Sequence, residues 1–187
     1  MATMLAFLTT DAAISPSVLQ HALSAATRCS FNRISVDGDR STNDAVFLLS
    51  NGLAGNALIE DVHSADYSTF FAALQAVMTR LAKMIVKDGE GATKLIEIHI
   101  SGAHDEDEAE RAARSIANSL LVKTAFHGAD ANWGRIMAAL GYSGIRFSPE
   151  KVELWLDDLA ILKPNFHIAL DEAKAKAVLS KPEVVLH

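Results

Sequence analysis

Two apolar periodicities alternate along this chain: short continuous runs, and longer stretches whose apolar residues recur at helical spacing. Residues 3–9 read as a strand in which Met4, Ala6 and Leu8 alternate with Leu5 and Phe7, so both faces are expected to be buried. A helix follows, with Ser15 as N-cap, Pro16 at the first helical position and a stripe of Val18, Ala22, Ala25 and Cys29. "AVFLLSNG" reads as a second buried strand. Asp66 is expected to cap a long helix with the stripe Phe70, Leu74, Val77, Met78, Leu81 and Ile85, which ends in the glycine-broken loop "KDGEGATK".

Beyond that loop, "KLIEIHI" alternates as a strand with Ile96, Ile98 and Ile100 on one face. "HDEDEAERAARSIANSLLVKTAF" reads as one helix whose acidic start suits the positive end of the helix dipole. A short helix ending at Gly141 comes next. "KVELWLDDLAIL" and "PEVVLH" read as strands, separated by an Ala/Lys-rich helix over residues 171–179. The pattern places an α/β unit over residues 1–90 and a smaller α+β unit over residues 91–187. With half of the residues hydrophobic and 21% charged, the composition fits the same α/β to α+β class. Strands at both ends, with no polar tail, lead us to expect a piece of something larger.

Charge narrows the function. The net charge of −6, with lysines and arginines scattered singly, argues against affinity for nucleic acid or for an anionic membrane surface. No stretch is expected to supply the roughly 18 apolar residues that span a bilayer. The opening run lacks the basic residue and the long apolar core of a secretory signal, so a cytoplasmic location is expected. The single cysteine, Cys29, excludes an internal disulfide and reads as a small buried hydrophobe.

Most polar clusters have ordinary readings. The seven histidines are dispersed without ligand spacing, so no metal site is expected. The acidic run Asp105 to Glu108 reads as a solvated helix start, because it lacks the spacing and glycine of a calcium loop. Two loops carry more polar residues than a connector needs: "FNRISVDGDRSTND" (31–44) and "HGADANWGR" (127–135), the latter grouping Asp130, Asn132, Trp133 and Arg135. Each is either a set of side-chain turns and ion pairs or part of a site.

The opening "MATMLAFLTTDA" offers a third candidate. A threonine hydroxyl needs a base to take its proton, and a threonine that begins a chain carries one in its own α-amine. That amine titrates near pH 7.7–8.0, leaving a useful fraction neutral. Such chemistry needs threonine at a chain start on a rigid strand, after a cut peptide bond, and Thr3 behind Ala2 meets that description.

Together, "ATMLAFLTTDA", "FNRISVDGDRSTNDAV", "NG", "KDGEGATK" and "NWGRIMAALGY" resemble the β chain of ornithine acetyltransferase, the bifunctional glutamate N-acetyltransferase of arginine biosynthesis. The resemblance covers nearly the whole chain, with the motifs in the family's order. It implies a layered αββα arrangement of the N-terminal-nucleophile type, with a smaller α+β domain behind it. It implies self-cleavage of a precursor between Ala2 and Thr3, with Thr3 as nucleophile and substrate contact and Glu90 as a second substrate-binding residue. Lys94 and the "NWGR" residues are expected to shape the pocket or the fold.

The implied reaction moves acetyl from N-acetylornithine to glutamate through an acetyl-threonine ester. No cofactor is implied, although acetyl-CoA is a donor for some members. The implied partner is the α chain of the same precursor, in a heterotetramer of two α and two β chains. The family's α chain, which supplies the oxyanion hole, and its C-terminal tail are not in this sequence. Met1-Ala2 still precede Thr3, and an acylated Thr3 nitrogen is no base. Two alternatives stand beside the transferase: an amidase or aminopeptidase of similar fold, in which water accepts the acyl group, and an inactive fragment that only binds a partner.

Overall fold

In the computed structural model, which describes residues 3–187, the chain divides into two compact units, Met1–Gly89 and Glu90–His187. The first is built on a parallel pair of strands, β1 (Leu5–Thr10) and β2 (Ala45–Ser50), in register from Leu5 opposite Ala45 to Thr10 opposite Ser50. Strand alternation sends Ala6 and Leu8 to one face. There they meet α1 (Pro16–Cys29) and α2 (Ala65–Lys87), whose buried residues include Val18, Ala22, Ala26, Leu74, Met78 and Ala82. The Tyr67 hydroxyl and His21 Nδ1, 2.9 Å apart, tie the two helices together, and burial raises the tyrosine's pKa.

Among the described residues of this unit, none of its helices packs on the other face of the pair. Leu5 (56%), Phe7 (67%), Phe47 (47%) and Leu49 (57%) are exposed, and the rings of Phe7 and Phe47, directly opposite in register, stack at 5.1 Å. The expectation that both faces of the first strand are buried is therefore corrected: among the described residues, Ala6 and Leu8 are buried under the first unit's helices, whereas Leu5 and Phe7 are exposed.

Several local expectations also change. Pro16 begins α1 as the sequence indicates, but the buried stripe runs through Ala26 rather than Ala25, and Cys29 is half-buried. The cap of α2 is Ser64, whose hydroxyl accepts the Tyr67 N–H, while Asp66 sits in the first turn and Val77 is exposed. By length and composition α2 is long and apolar enough to cross a membrane, contrary to the expectation that no stretch is. Its 23 residues include Asp66, Arg80, Lys83 and Lys87, so no continuous apolar run marks it, and its inner stripe packs in the first unit's core.

The second unit carries a five-stranded mixed sheet in the order β3-β7-β4-β5-β6. Its strands are β3 (Leu95–Ile98), β4 (Leu154–Leu156), β5 (Leu159–Lys163), β6 (His167–Ile168) and β7 (Glu183–Leu186). β3 runs parallel to β7, and the remaining pairings are antiparallel. The helices α3 (Glu106–Asn118), α4 (Leu120–His127), α5 (Trp133–Gly141) and α6 (Glu172–Leu179) bury Ile116, Phe126, Ile136 and Leu179 with Leu156, Ile161 and Leu186 of the sheet.

Two single elements of the sequence reading are split. The helix expected across residues 104–126 breaks at Ser119, which is buried and caps α4 by accepting the Val122 N–H. "KVELWLDDLAIL" is a hairpin, β4 to β5, turning at Asp157, which adopts a left-handed φ of 50° that Asp tolerates. The Asp157 carboxylate accepts from Lys181 Nζ at 2.6 Å and from the Val185 N–H at 3.0 Å, so the turn is locked to β7.

The Lys181 hydrogen bond, then the Val185 N–H, holds the Asp157 carboxyl below its ordinary pKa. A carboxyl more acidic in the folded than in the unfolded state adds stability above its unfolded pKa, and that stability is lost as pH falls through the folded one. The protein's urea midpoint should therefore fall on acidification below about pH 4. Asp157→Asn should remove part of that dependence and cost ~0.5–1 kcal/mol at neutral pH, the discounted worth of a partly exposed pair. An unchanged acid profile in the variant would show that the pair contributes nothing.

Candidate active site

Thr3, expected within a strand over residues 3–9, stands two residues ahead of β1, and the start of β2 bears on what surrounds it. The Ala45 N–H donates to Met4 O at 2.9 Å, extending the parallel ladder one step before Leu5. The residue preceding Ala45 is Asp44, whose Oδ1 accepts the Met4 N–H at 2.8 Å while its Oδ2 takes the Ser41 N–H at 3.4 Å. Ser41, half-buried, brings its hydroxyl to 3.2 Å from Thr3 Oγ1 and also accepts the Asn43 N–H at 3.1 Å. The loop 31–44 thus closes on the start of the first strand. Ser41 of this loop meets the Thr3 hydroxyl, and Asp44 the backbone of the next residue, Met4.

Sequence reasoning flagged this loop as over-polar but named neither residue. The only signal was Asp44 immediately before an apolar run, and its meaning depends on the register of β1 against β2. Ala2, the other half of the expected cleavage site, lies outside the described residues.

Glu90 is the first residue of the second unit, exposed, in the loop joining α2 to β3. The same loop is fastened to α4. Lys94 Nζ donates to Phe126 O at 2.9 Å and lies 3.5 Å from His127 O, and Thr93 Oγ1 is 3.5 Å from His127 Nδ1. A lysine at these terminal carbonyls serves groups that have no partner within the helix.

The loop 127–135 does the ordinary work of turns and caps. Asn132 caps α5 by accepting the Arg135 N–H, and its amide donates to Asp130 Oδ2 at 3.0 Å. Arg135 Nη1 donates to Leu121 O at 3.0 Å and to Thr124 Oγ1 at 3.1 Å, joining α5 to α4. Trp133 packs against the second unit's core. Among the described residues, no group of three histidine, cysteine, aspartate or glutamate side chains is placed to hold a metal ion.

Fold and site together define a mixed α/β protein in which a threonine two residues ahead of the first strand meets a serine hydroxyl from the loop before the second. The ArgJ family model matches residues 1–187, so the chain belongs to the ArgJ family. It is 55% identical over 185 residues to the arginine biosynthesis bifunctional protein ArgJ of Symbiobacterium thermophilum, covering 99% of this chain and 46% of that protein. The corresponding protein of Chlorobium chlorochromatii is 56% identical over 182 residues, 97% of this chain and 42% of its own length. The chain thus spans less than half the length of these curated relatives. The crystal structure of the arginine biosynthesis bifunctional protein argJ from Bacillus halodurans superposes with a TM-score of 0.93 at 45% identity, covering 98% of this chain and 87% of that one. The mixed α/β class and the layered type that the motifs imply agree with this match.

Asp44 serves two backbone donors at once, and losing a shared acceptor leaves both unsatisfied. Asp44→Ala should accelerate amide hydrogen exchange at Met4 by about tenfold or more, the equivalent of ~1.4 kcal/mol, with α2 amides unaffected. Unaltered exchange at Met4 would show that β2 alone positions the start of β1.

Proposed function

We propose that this chain is the catalytic β portion of an acetyltransferase that moves acetyl from N-acetylornithine to glutamate in arginine biosynthesis, in the cytoplasm. Thr3 is the nucleophile, freed by cleavage after Ala2. The observation that carries this reading is the seating of Thr3: at the head of a strand paired in register, its backbone fixed through Asp44 and its hydroxyl met by Ser41.

The chemistry follows from a free Thr3. Its neutral α-amine takes the Oγ1 proton as that oxygen adds to the acetyl carbonyl carbon. The C–N bond to ornithine then breaks, and the leaving amine takes the proton back from the Thr3 ammonium. An acetyl ester on Oγ1 remains. The glutamate amine adds to that ester and gives up a proton to the Thr3 amine. The C–O bond breaks, Oγ1 is reprotonated, and N-acetylglutamate leaves. Glu90 is the carboxylate we assign to the substrate's ammonium or reacting amine.

Two observations support the α chain as partner. The bare face with Phe7 and Phe47 belongs to a parallel pair, and parallel sheets are found covered on both sides. The chain also covers 87% of the crystallised relative's chain but only 46% of a full-length relative, which fits a precursor divided into two chains. In this reading the α chain covers that face and supplies the oxyanion hole, and two copies of each chain form the heterotetramer.

Acetyl exchange between N-acetylornithine and glutamate, measured on the complete α-plus-β protein, tests the proposal. Thr3→Ala should abolish both self-cleavage and exchange. Exchange that persists in that variant would refute the nucleophile. Release of acetate without glutamate-dependent transfer would favour the amidase.

A further inference from the structure

We propose that Ser41 is a second catalytic hydroxyl, donating a hydrogen bond to Thr3 Oγ1 and stabilising the negative charge that grows there during attack. This inference rests on Thr3 being the nucleophile. The two oxygens lie 3.2 Å apart, with Ser41 brought in from a loop 38 residues downstream. A hydroxyl has one proton and two acceptor sites. One acceptor site of Ser41 is filled by the Asn43 N–H, and the Ser41 N–H is held by Asp44. The position of the serine is therefore set independently of Thr3.

The reaction itself fixes the direction of the hydrogen bond. The Oγ1 proton goes to the Thr3 α-amine as the oxygen attacks, so that proton is not shared with Ser41 at the decisive moment. The serine proton then has Oγ1 as its acceptor, and the bond strengthens as charge develops. That is the differential interaction that lowers a barrier. Ser41 keeps its proton throughout, and the atom balance of the transfer is unaltered. The same contact restrains the orientation of the threonine side chain.

Asp44 completes the device as a positioning residue. Its two oxygens clamp the Met4 N–H on the nucleophile strand and the Ser41 N–H on the loop, so the strand and the second hydroxyl move as one piece. A simple turn role for Ser41, through the Asn43 N–H, would need no contact with Thr3 and would leave the chemical step untouched.

Rapid-quench measurement of acetyl loading onto the complete α-plus-β protein, with N-acetylornithine as donor and no glutamate, separates these roles. Ser41→Ala should slow acetylation of Thr3 about ten- to a hundredfold, the worth of a hydrogen bond to a charged atom, with the KM for the donor unchanged. Ser41→Thr, which keeps a hydroxyl, should recover most of the rate, and Thr42→Ala should load at the parent rate. Loading of Ser41→Ala at the parent rate, or a defect confined to KM, overturns the proposal. If the alanine variant fails to cleave itself, Thr3 is exposed by protease removal of an N-terminal fusion and the same rate is read. Acetyl found on a residue other than Thr3 in the unsubstituted protein would instead overturn the nucleophile reading.

Discussion

The parallel pairing of β1 with β2 is the constraint on which the first unit depends. Its register decides which side chains meet the helices and which are left bare. It also decides that Asp44, one residue before the ladder begins, reaches the Met4 N–H. A slip of one residue would turn Ala6 and Leu8 outward and Leu5 and Phe7 inward, and would withdraw Asp44 from the strand it clamps. The packing of α1 and α2 and the neighbourhood of Thr3 are therefore one structural fact with two consequences.

The two units divide the work differently. In the first, polar residues of the loop 31–44 converge on the head of a strand, where a hydroxyl, a carboxylate and a threonine come together. In the second, the residues that look most like chemistry are spent on architecture. Lys94 and Asn132 serve the ends of α4 and α5, satisfying carbonyl and amide groups that helix termini leave open, while Arg135 ties α5 to Leu121 O and Thr124 Oγ1 of α4. Lys94 thereby fastens the loop that follows Glu90 to the end of α4.

How much could be read beforehand follows from how local each determinant is. Pro16 announced α1 and Gly141 the end of α5, because caps and breakers act within a turn. The break at Ser119 was hidden, since apolar residues continue on both sides and only burial turns that serine into a cap. The hairpin at Asp157 was hidden for a similar reason: neither glycine nor proline marks it, and Lys181, 24 residues away, stabilises the turn. The family motifs pointed to Thr3 and Glu90 as candidate site residues. Ser41 and Asp44 became visible only when strand register brought residues about 40 positions apart into contact. The exposed Phe7–Phe47 face was equally illegible, because alternation within a strand does not say which partner covers which side.

The central claim is that Thr3, once it begins its chain, carries the acetyl group on its hydroxyl beside Ser41. A crystal structure of the complete two-chain protein, soaked with N-acetylornithine in the absence of glutamate, tests it most directly. We expect the β chain to begin at Thr3, with continuous density from Oγ1 to an acetyl carbon and the Ser41 hydroxyl within hydrogen-bonding distance of that oxygen. An intact Ala2–Thr3 peptide bond in an active enzyme, or acetyl density on another side chain, would contradict it.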